Sequence, residues 1–196
     1  SARLYATARG IYEMYLNGQR VSDYYFTPGL TQYNESHQYQ TYDVTDYIHS
    51  GETNAIGAVL GEGWWSGAIT FTTSRWNHFG DRQSLLAKLV ITYEDGSKEI
   101  VTTNPDWKYY DEGPVVYGSF FQGEYYDATK EEAIDGWSQP GFDDIDWKSA
   151  EVVPLDETTT PDDNGLSYDD MELIGQIGEA PRVVETLTAQ DVTEVR

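Results

Sequence analysis

Hydrophobic and polar residues alternate with a period of two at the start of the chain. Residues 3–9 and 11–16 show this alternation and are rich in aromatic side chains, as expected for half-buried β-strands. Asn17 and Gly18 follow directly and predict a tight turn, because both central residues of such a turn need a positive φ. Residues 19–21 then form the returning strand. The pattern therefore predicts a β-hairpin.

A second hairpin is indicated further along the chain. Residues 85–93 alternate, Asp95 and Gly96 predict the turn, and residues 97–102 return. Many short strands separated by turn signals, without alternating helices, predict an all-β fold, an antiparallel β-sandwich. The long loops in the tryptophan-rich part of the chain favour a jelly-roll topology over an immunoglobulin-like one. Further strands are predicted at residues 38–44, 55–60, 107–110 and 115–121, and one short helix at residues 129–134.

The composition of the chain changes towards its C-terminus. Residues 151–196 contain twelve acidic and two basic residues and few aromatic ones. We therefore expect a β-sandwich domain over residues 1–153 and an acidic connector over residues 154–179. Residues 180–196 regain an alternating pattern without a nearby hairpin partner. We interpret them as a C-terminal extension that forms the first strand of a following, truncated β domain.

Charge and cysteine usage narrow the classes of partner. There are 34 acidic residues against 12 basic ones, which gives a formal net charge of −22. Such a charge repels nucleic-acid phosphates and anionic lipids, so we expect neither nucleic acid nor a membrane as a partner. Because the chain has no cysteine, disulfides and thiolate metal sites are excluded. The three histidines are not spaced as zinc ligands.

A segment rich in glycine and tryptophan carries the candidate binding chemistry. Residues 57–71 begin as an apolar strand, and their glycines mark bulges or places where another group approaches the backbone closely. Aromatic rings can cover the apolar faces of a pyranose, while nearby amides and charged groups bind its hydroxyls. The alternative is that the tryptophans pack against the end of the sandwich. The candidate carbohydrate-binding residues are Trp64, Trp65, Trp76, Asn77, His78, Asp81 and Arg82.

Glu124 and Asp127 are the best candidates for a catalytic carboxylate pair. Glycosidases need two carboxyl groups about 5–10 Å apart across the scissile bond. In an extended strand these two side chains project to opposite faces, which does not suit such a pair. A carboxylate that caps a loop or accepts backbone N–H groups is the favoured interpretation. No residue of the chain is therefore assigned a catalytic function.

An ordered series of short motifs resembles the N-terminal β-sandwich domain of bacterial α-L-rhamnosidases. The series covers most of the chain and is far more specific than its Leu-Asn-Gly hairpin alone. It consists of GIYE at residues 10–13, LNG at 16–18, PGLT at 28–31, YQTYDVT at 39–45, GE at 51–52, LGEGW at 60–64, GEYYDA at 123–128, GW at 136–137, GFDD at 141–144 and Trp147. GQIG at 175–178 and RVVE at 182–185 resemble the start of the next domain in those enzymes.

The resemblance implies a galactose-binding-like sandwich that acts as a non-catalytic accessory domain. In that family the domain helps to recognise terminal α-L-rhamnosyl residues of glycans or glycosides, and hydrolysis takes place in a downstream helical domain of the same chain. The expected partners are therefore a rhamnose-containing carbohydrate and that catalytic domain. Two alternatives remain, a purely structural support domain and an independent lectin-like module. The resemblance also implies an exported bacterial protein, periplasmic or extracellular, whose signal peptide lies outside this sequence.

Calcium is the one cofactor that the resemblance raises. Some related modules bind terminal L-rhamnose through a calcium ion held by an adjacent Asp-Asn pair and main-chain carbonyls. The counterpart in this sequence is Tyr33-Asn34, which lacks the aspartate. Asn34 is therefore a weak calcium candidate, and no other metal or cofactor is expected.

Overall fold

A computed structural model describes residues 1–71, 76–155 and 165–190. These residues form β-strands and two short 3₁₀ helices, Thr45–Tyr47 and Ala128–Ile134. The strands are β1 (Ala2–Arg9), β2 (Ile11–Leu16), β3 (Gln19–Arg20), β4 (Ser36–Asp43), β5 (Ile56–Gly61), β6 (Ser84–Thr92), β7 (Lys98–Thr102), β8 (Lys108–Tyr109), β9 (Val115–Ser119), β10 (Gly123–Tyr126), β11 (Lys148–Ser149) and β12 (Glu172–Gly175). In the described part of the chain, no helix is long and apolar enough to cross a membrane.

Two sheets form the sandwich. The larger sheet has the strand order β12-β4-β1-β6-β7 and the smaller one β3-β2-β5, while β9–β10 and β8–β11 form separate two-stranded pairs. All described pairings among β1 to β11 are antiparallel. The all-β, antiparallel β-sandwich prediction is confirmed, and so are both predicted hairpins. The jelly-roll topology stays a prediction.

The core lies between the two sheets and follows directly from the period-two pattern. Leu4 and Ala6 on β1 face Tyr12 and Met14 on β2, and all four are at most 2% exposed. The residues between them point outwards, because successive side chains of a strand project to opposite faces. Burial of these apolar side chains is the main favourable contribution to the stability of the sandwich.

Gly10 takes the chain from the larger sheet to the smaller one. Its φ is +116°, a conformation that L side chains rarely adopt. A Cβ at this position would lie 2.3 Å from the carbonyl oxygen of Gly61. The crossing between β1 and β2 therefore requires glycine.

The first hairpin turn adopts the predicted conformation, with φ values of 50° at Asn17 and 79° at Gly18. The Asn17 side chain also joins this turn to a neighbouring loop. Its Oδ1 accepts from the backbone N–H of Ala55 at 2.8 Å, and its Nδ2 donates to the carbonyl oxygen of Tyr47 at 2.8 Å and to Oδ1 of Asn54 at 2.7 Å. Asn17 therefore fixes the loop that leads into β5.

We expect Asn17→Ala to lower the free energy of unfolding by about 3 kcal/mol, because it leaves backbone groups unpaired and places alanine at a positive φ. Asn104→Ala is the matched control, since Asn104 makes one exposed side-chain bond, to the backbone N–H of Asp106. Urea denaturation of both variants checks this. Equal decreases in the free energy of unfolding of the two variants would show that the Asn17 contacts stabilise the fold no more than the exposed Asn104 bond does.

The second hairpin turns at Asp95 and Gly96 as predicted, with a different loop geometry. Gly96 has a φ of 82°, its N–H donates to the carbonyl oxygen of Tyr93, and the Asp95 carboxylate accepts from the backbone N–H of Ser97. The backbone N–H of Tyr93 donates to the carbonyl oxygen of Ser97. Only Gly96 needs the left-handed conformation here, as in a three-residue hairpin loop with a glycine bulge.

The sandwich extends beyond the predicted boundary at residue 153. Residues 172–175, expected in the acidic connector, form β12, which pairs in parallel with β4 at the edge of the larger sheet. The backbone N–H of Gln176 continues this pairing with a 3.0 Å bond to the carbonyl oxygen of Tyr39. The edge of β4 offers backbone N–H and carbonyl groups, and β12 pairs with them. The acidic composition of residues 154–179 did not indicate this pairing. Residues 156–164 of the predicted connector lie outside the described residues.

The predicted strand at residues 180–196 is not formed where the structure describes this segment. Residues 180–190 contain no strand, and Val184 is 99% exposed. The segment contacts the sandwich at its beginning, where the carbonyl oxygen of Pro181 accepts from the backbone N–H of Tyr25. Residues 191–196 lie outside the described residues. The assignment of the segment to a following domain stays a prediction.

Candidate functional site

Trp65 lies in a second buried cluster beneath the tryptophan-rich loops. Its side chain is 0% exposed. Its ring centroid lies 5.8 Å from that of Tyr33, 6.3 Å from that of Phe79 and 5.7 Å from that of Tyr168. Gly80 makes room for it, since a Cβ there would lie 2.7 Å from the Trp65 ring. Trp65 offers no ring face to a ligand, so for this residue the packing alternative applies.

The C-terminal segment completes this second cluster. Tyr168 packs against Trp65 and donates its hydroxyl to the carbonyl oxygen of Phe79. Burial raises the pKa of Tyr168 to about 12, so the hydroxyl stays protonated as a donor at neutral pH. Leu155 and Leu166 are half-buried against the same cluster. The segment expected to be a connector therefore covers part of the core.

Arg9 borders the same cluster and holds a further part of the C-terminal segment. Its guanidinium carbon lies 5.6 Å from the centroid of the Trp65 ring, and its Nη1 donates to the carbonyl oxygen of Val153 at 2.8 Å. Burial lowers the pKa of Arg9 from its ordinary value. A guanidinium over an indole face is attracted by the ring electrons, which adds to the packing of Trp65.

His37 is buried beside this cluster. Its ring is stacked on Tyr33 at 4.8 Å, and its Nε2 donates to the carbonyl oxygen of Ala8 at 2.8 Å. Burial lowers the pKa of His37, the hydrogen bond to Ala8 opposes this, and the positive charge of Arg9 lowers the pKa further, so the net shift is downward. The folded state therefore favours the neutral imidazole more than the unfolded chain does.

We expect the free energy of unfolding to decrease through His37 as the pH falls below about 7. Because its pKa is lower in the folded state, its contribution is complete above the unfolded value of 6.5 and is lost as the pH falls towards the folded value. His37→Gln keeps a donor for Ala8 and should flatten this dependence. His49→Gln, which replaces a histidine at an exposed site, is the matched control. Urea denaturation across this pH range checks the prediction, which identical slopes for all three proteins would contradict.

Trp64 packs at the border of the second cluster and also joins a group of aromatic residues at the surface. Its ring is stacked on Phe120 with centroids 4.1 Å apart and planes 20° apart. Phe120 in turn makes an edge contact with Phe26 at 5.0 Å, and Phe26 is 43% exposed. Trp64 is half-buried. The sequence gave no sign of this contact, because Phe120 and Phe26 lie far from Trp64 along the chain.

The hairpin of β9 and β10 brings the other surface rings together. Trp76 contacts Tyr117 at 5.9 Å, and Phe71 contacts Phe121 at 6.4 Å. Phe71 is 78% exposed. We call this set of rings the aromatic platform. It consists of Phe26, Trp64, Phe71, Trp76, Tyr117, Phe120 and Phe121.

The polar residues of the predicted site lie in the same loop as Trp76. The backbone N–H of Asn77 donates to the carbonyl oxygen of Ser66 at 3.0 Å, with a positive φ of 57° at Asn77. His78 makes an edge contact with Phe79 at 4.8 Å. Arg82 Nε donates to Asp81 Oδ1 at 3.2 Å, and both side chains are partly exposed. This loop thus presents amide, imidazole, carboxylate and guanidinium groups next to an aromatic ring.

The calcium candidate Asn34 is engaged by a neighbouring amide. Its Oδ1 accepts from Nε2 of Gln32 at 2.6 Å. Over residues 1–71, 76–155 and 165–190, no group of three or more His, Cys, Asp or Glu side chains that could hold a metal comes together. Asn34 stays a calcium candidate from the sequence alone.

Asp127 has the structural function that its position predicted. Asp127 precedes the 3₁₀ helix Ala128–Ile134. Its Oδ1 accepts two hydrogen bonds from Thr129, one from the backbone N–H at 3.0 Å and one from the side-chain hydroxyl at 2.6 Å. These hydrogen bonds lower the pKa of Asp127. Glu124 is exposed on β10, opposite Gly118 of β9. Asp127 thus acts as a helix cap, as the capping interpretation expects.

Comparison with known proteins identifies the domain family of this chain. The family model "Alpha-L-rhamnosidase N-terminal domain" matches residues 1–169. An α-L-rhamnosidase of Streptomyces avermitilis is 39% identical over 193 residues, which are 98% of this chain and 17% of that protein. An α-L-rhamnosidase of an Alteromonas species is 41% identical over 147 residues, 74% of this chain and 15% of that protein.

Solved structures show the same relationship. The crystal structure of the Streptomyces avermitilis α-L-rhamnosidase complexed with L-rhamnose matches with a TM-score of 0.82 and 39% identity, over 98% of this chain and 17% of that one. The α-L-rhamnosidase of Aspergillus terreus matches with a TM-score of 0.73 and 42% identity, over 83% of this chain and 18% of that one. In each case this chain spans less than a fifth of its relative. It belongs to the family of α-L-rhamnosidase N-terminal domains.

Proposed function

We propose that this chain is a non-catalytic substrate-recognition domain of an α-L-rhamnosidase. In this proposal the aromatic platform binds terminal α-L-rhamnosyl residues of a glycan or glycoside. The observation that carries it is the pair of half-buried tryptophans, Trp64 and Trp76, which the β9–β10 hairpin holds through Phe120 and Tyr117. Their positions are fixed by other rings, so little side-chain entropy is lost when a sugar binds.

The chemistry of the platform suits a deoxy sugar. L-Rhamnose carries a methyl group and an apolar ring face, which stack favourably on an exposed aromatic ring. Asn77, Asp81 and Arg82 follow Trp76 and offer donors and acceptors for the sugar hydroxyls. Because Asp81 and Arg82 form an ion pair, this loop presents hydrogen-bonding groups without a net charge, which suits a neutral ligand.

Hydrolysis is assigned in this proposal to another part of a longer protein. The relatives are several times longer than the region matched, since this chain spans 17% of the Streptomyces avermitilis enzyme. Among the residues described, Asp127 is used as a helix cap and Glu124 stands exposed on a two-stranded hairpin. Neither observation favours a catalytic carboxylate pair in this domain.

Calorimetric titration with L-rhamnose tests the proposal. We expect a dissociation constant in the millimolar range, and at least a tenfold loss of affinity in Trp76→Ala, which corresponds to about 1.4 kcal/mol. Trp107→Ala is the matched control, because Trp107 donates its indole N–H to the carbonyl oxygen of Thr102, away from the platform. An unchanged affinity in a folded Trp76→Ala would contradict the site. Absence of binding by the unmodified chain would favour the structural support function.

A further inference from the structure

We propose that the bound carbohydrate is a neutral oligosaccharide that continues from the aromatic platform across the outer face of the three-stranded sheet. This inference rests on the proposed function, since it extends the same site. The outer face is formed by the side chains of β2, β3 and β5 that point away from the core. We call it the sheet face and define it by Ile11, Glu13, Tyr15, Arg20 and Val59.

The register of the strands places these residues side by side. Glu13 on β2 lies opposite Val59 on β5, and Tyr15 lies opposite Arg20 on β3 and Gly57 on β5. Val59 is 45% exposed and lies on β5, at the edge of this face. A sugar ring can cover an exposed apolar side chain of this kind, while the neighbouring aromatic and hydrogen-bonding groups contact its faces and hydroxyls.

A fixed ion pair lies at the centre of the sheet face. Arg20 Nη2 donates to Glu13 Oε1 at 2.7 Å, with the two side chains 22% and 33% exposed. The same guanidinium donates to the carbonyl oxygen of Tyr24 and lies 4.3 Å from the centroid of the Tyr25 ring. The Tyr15 hydroxyl donates to Glu13 Oε2 at 3.3 Å. A guanidinium has five N–H donors and a carboxylate about four acceptor positions, so both groups keep capacity for further hydrogen bonds.

Aromatic rings bound this ion pair on two sides. Trp137 makes an edge contact with Tyr15 at 5.2 Å and covers Gly57, where a Cβ would lie 2.6 Å from its ring. On the other side Tyr25 contacts Phe26 at 6.3 Å, and Phe26 belongs to the aromatic platform. The contacts therefore run without a break from Trp64 to Trp137. A single monosaccharide would use only one end of this surface.

The charge balance selects the class of ligand. The net charge of −22 repels anionic polymers, and the two charges at the centre of the sheet face cancel each other. Rings that alternate with paired polar groups suit a neutral polymer of pyranoses, which has apolar faces and hydroxyl edges. We therefore assign the sheet face to the part of the substrate beyond its terminal rhamnosyl residue.

The test compares L-rhamnose with a longer neutral oligosaccharide that ends in an α-L-rhamnosyl residue, by calorimetry on the full chain. We expect the longer ligand to bind at least tenfold more tightly. Val59→Lys places a charged side chain on the sheet face. It should abolish the additional affinity for the longer ligand and leave the affinity for L-rhamnose unchanged. Ile100→Lys is the matched control, since Ile100 is 55% exposed on the other sheet and should change neither affinity.

The outcomes separate this inference from the proposed function. Equal affinities for both ligands in the unmodified chain, or an increment that survives in Val59→Lys, would overturn the sheet face as a binding surface while the platform stands. No binding of either ligand would overturn both. A second variant, Glu13→Gln, disrupts the ion pair without adding bulk and should likewise reduce affinity for the longer ligand alone.

Discussion

A chain that ends at Val153 is expected to lose about 3 kcal/mol or more of its free energy of unfolding, whereas a chain that ends at Gly178 stays close to full stability. The first truncation removes β12 from the edge of the larger sheet. It also removes Tyr168, which packs on Trp65 and donates to Phe79. The remaining core would then expose apolar side chains of the second cluster.

The second truncation removes much weaker contacts. Beyond Gly178 the described contacts with the sandwich are the backbone bond between Pro181 and Tyr25 and the exposed contacts of Arg182 with Asp23 and Tyr24. Exposed ion pairs of this kind contribute at most about 1 kcal/mol. Urea denaturation of the two truncated chains and the full chain measures the difference. Similar stability in the chain ending at Val153 would restore the boundary predicted from the sequence.

Trp65→Ala is expected to lower the free energy of unfolding by about 4 kcal/mol, while Trp64→Ala lowers it by much less. Trp65 is fully buried among Tyr33, Phe79 and Tyr168, so its removal leaves a large cavity. Trp64 is half-buried, so its removal loses the stacking on Phe120 and packing at the border of the second cluster but leaves no fully buried cavity. Because the two residues are adjacent and of the same type, the comparison isolates the effect of side-chain burial on stability.

Thermal and urea unfolding of both variants measure this contrast. Trp65→Phe is a useful third protein, because it keeps a ring and removes an indole N–H that finds no acceptor among the described residues. We expect its stability to lie between those of the full chain and Trp65→Ala. Equal losses in Trp64→Ala and Trp65→Ala would mean that both side chains contribute similarly to the core.

The strands were predictable wherever alternation and turn chemistry agree. Asn17-Gly18 and Gly96 ended strands at the expected places, because few residues other than glycine and asparagine adopt a positive φ easily. β12 escaped prediction, since its four residues pair only through the backbone of β4 and show no alternation of their own. Residues 180–190 show alternation but form no strand in the described part of the chain, and their assignment to a following domain stays a prediction.

The candidate site was predictable in composition but not in geometry. The sequence identified Trp64, Trp65 and Trp76, yet it did not separate the buried ring of Trp65 from the other two. Local spacing also carried no information on Phe120 and Tyr117, because these rings reach the site through a hairpin distant in the sequence. Tertiary contacts of this kind are set by how the loops pack on the sandwich.

The indole N–H resonances of the six tryptophans give the most direct test of the proposed recognition function. In a ¹⁵N-labelled sample, assigned by single substitutions, titration with L-rhamnose should shift the resonances of Trp64 and Trp76 in a saturable manner. The resonance of buried Trp65 should move less, and that of Trp107 should not move. Shifts confined to tryptophans outside the aromatic platform, or no shifts at saturating sugar, would contradict the account.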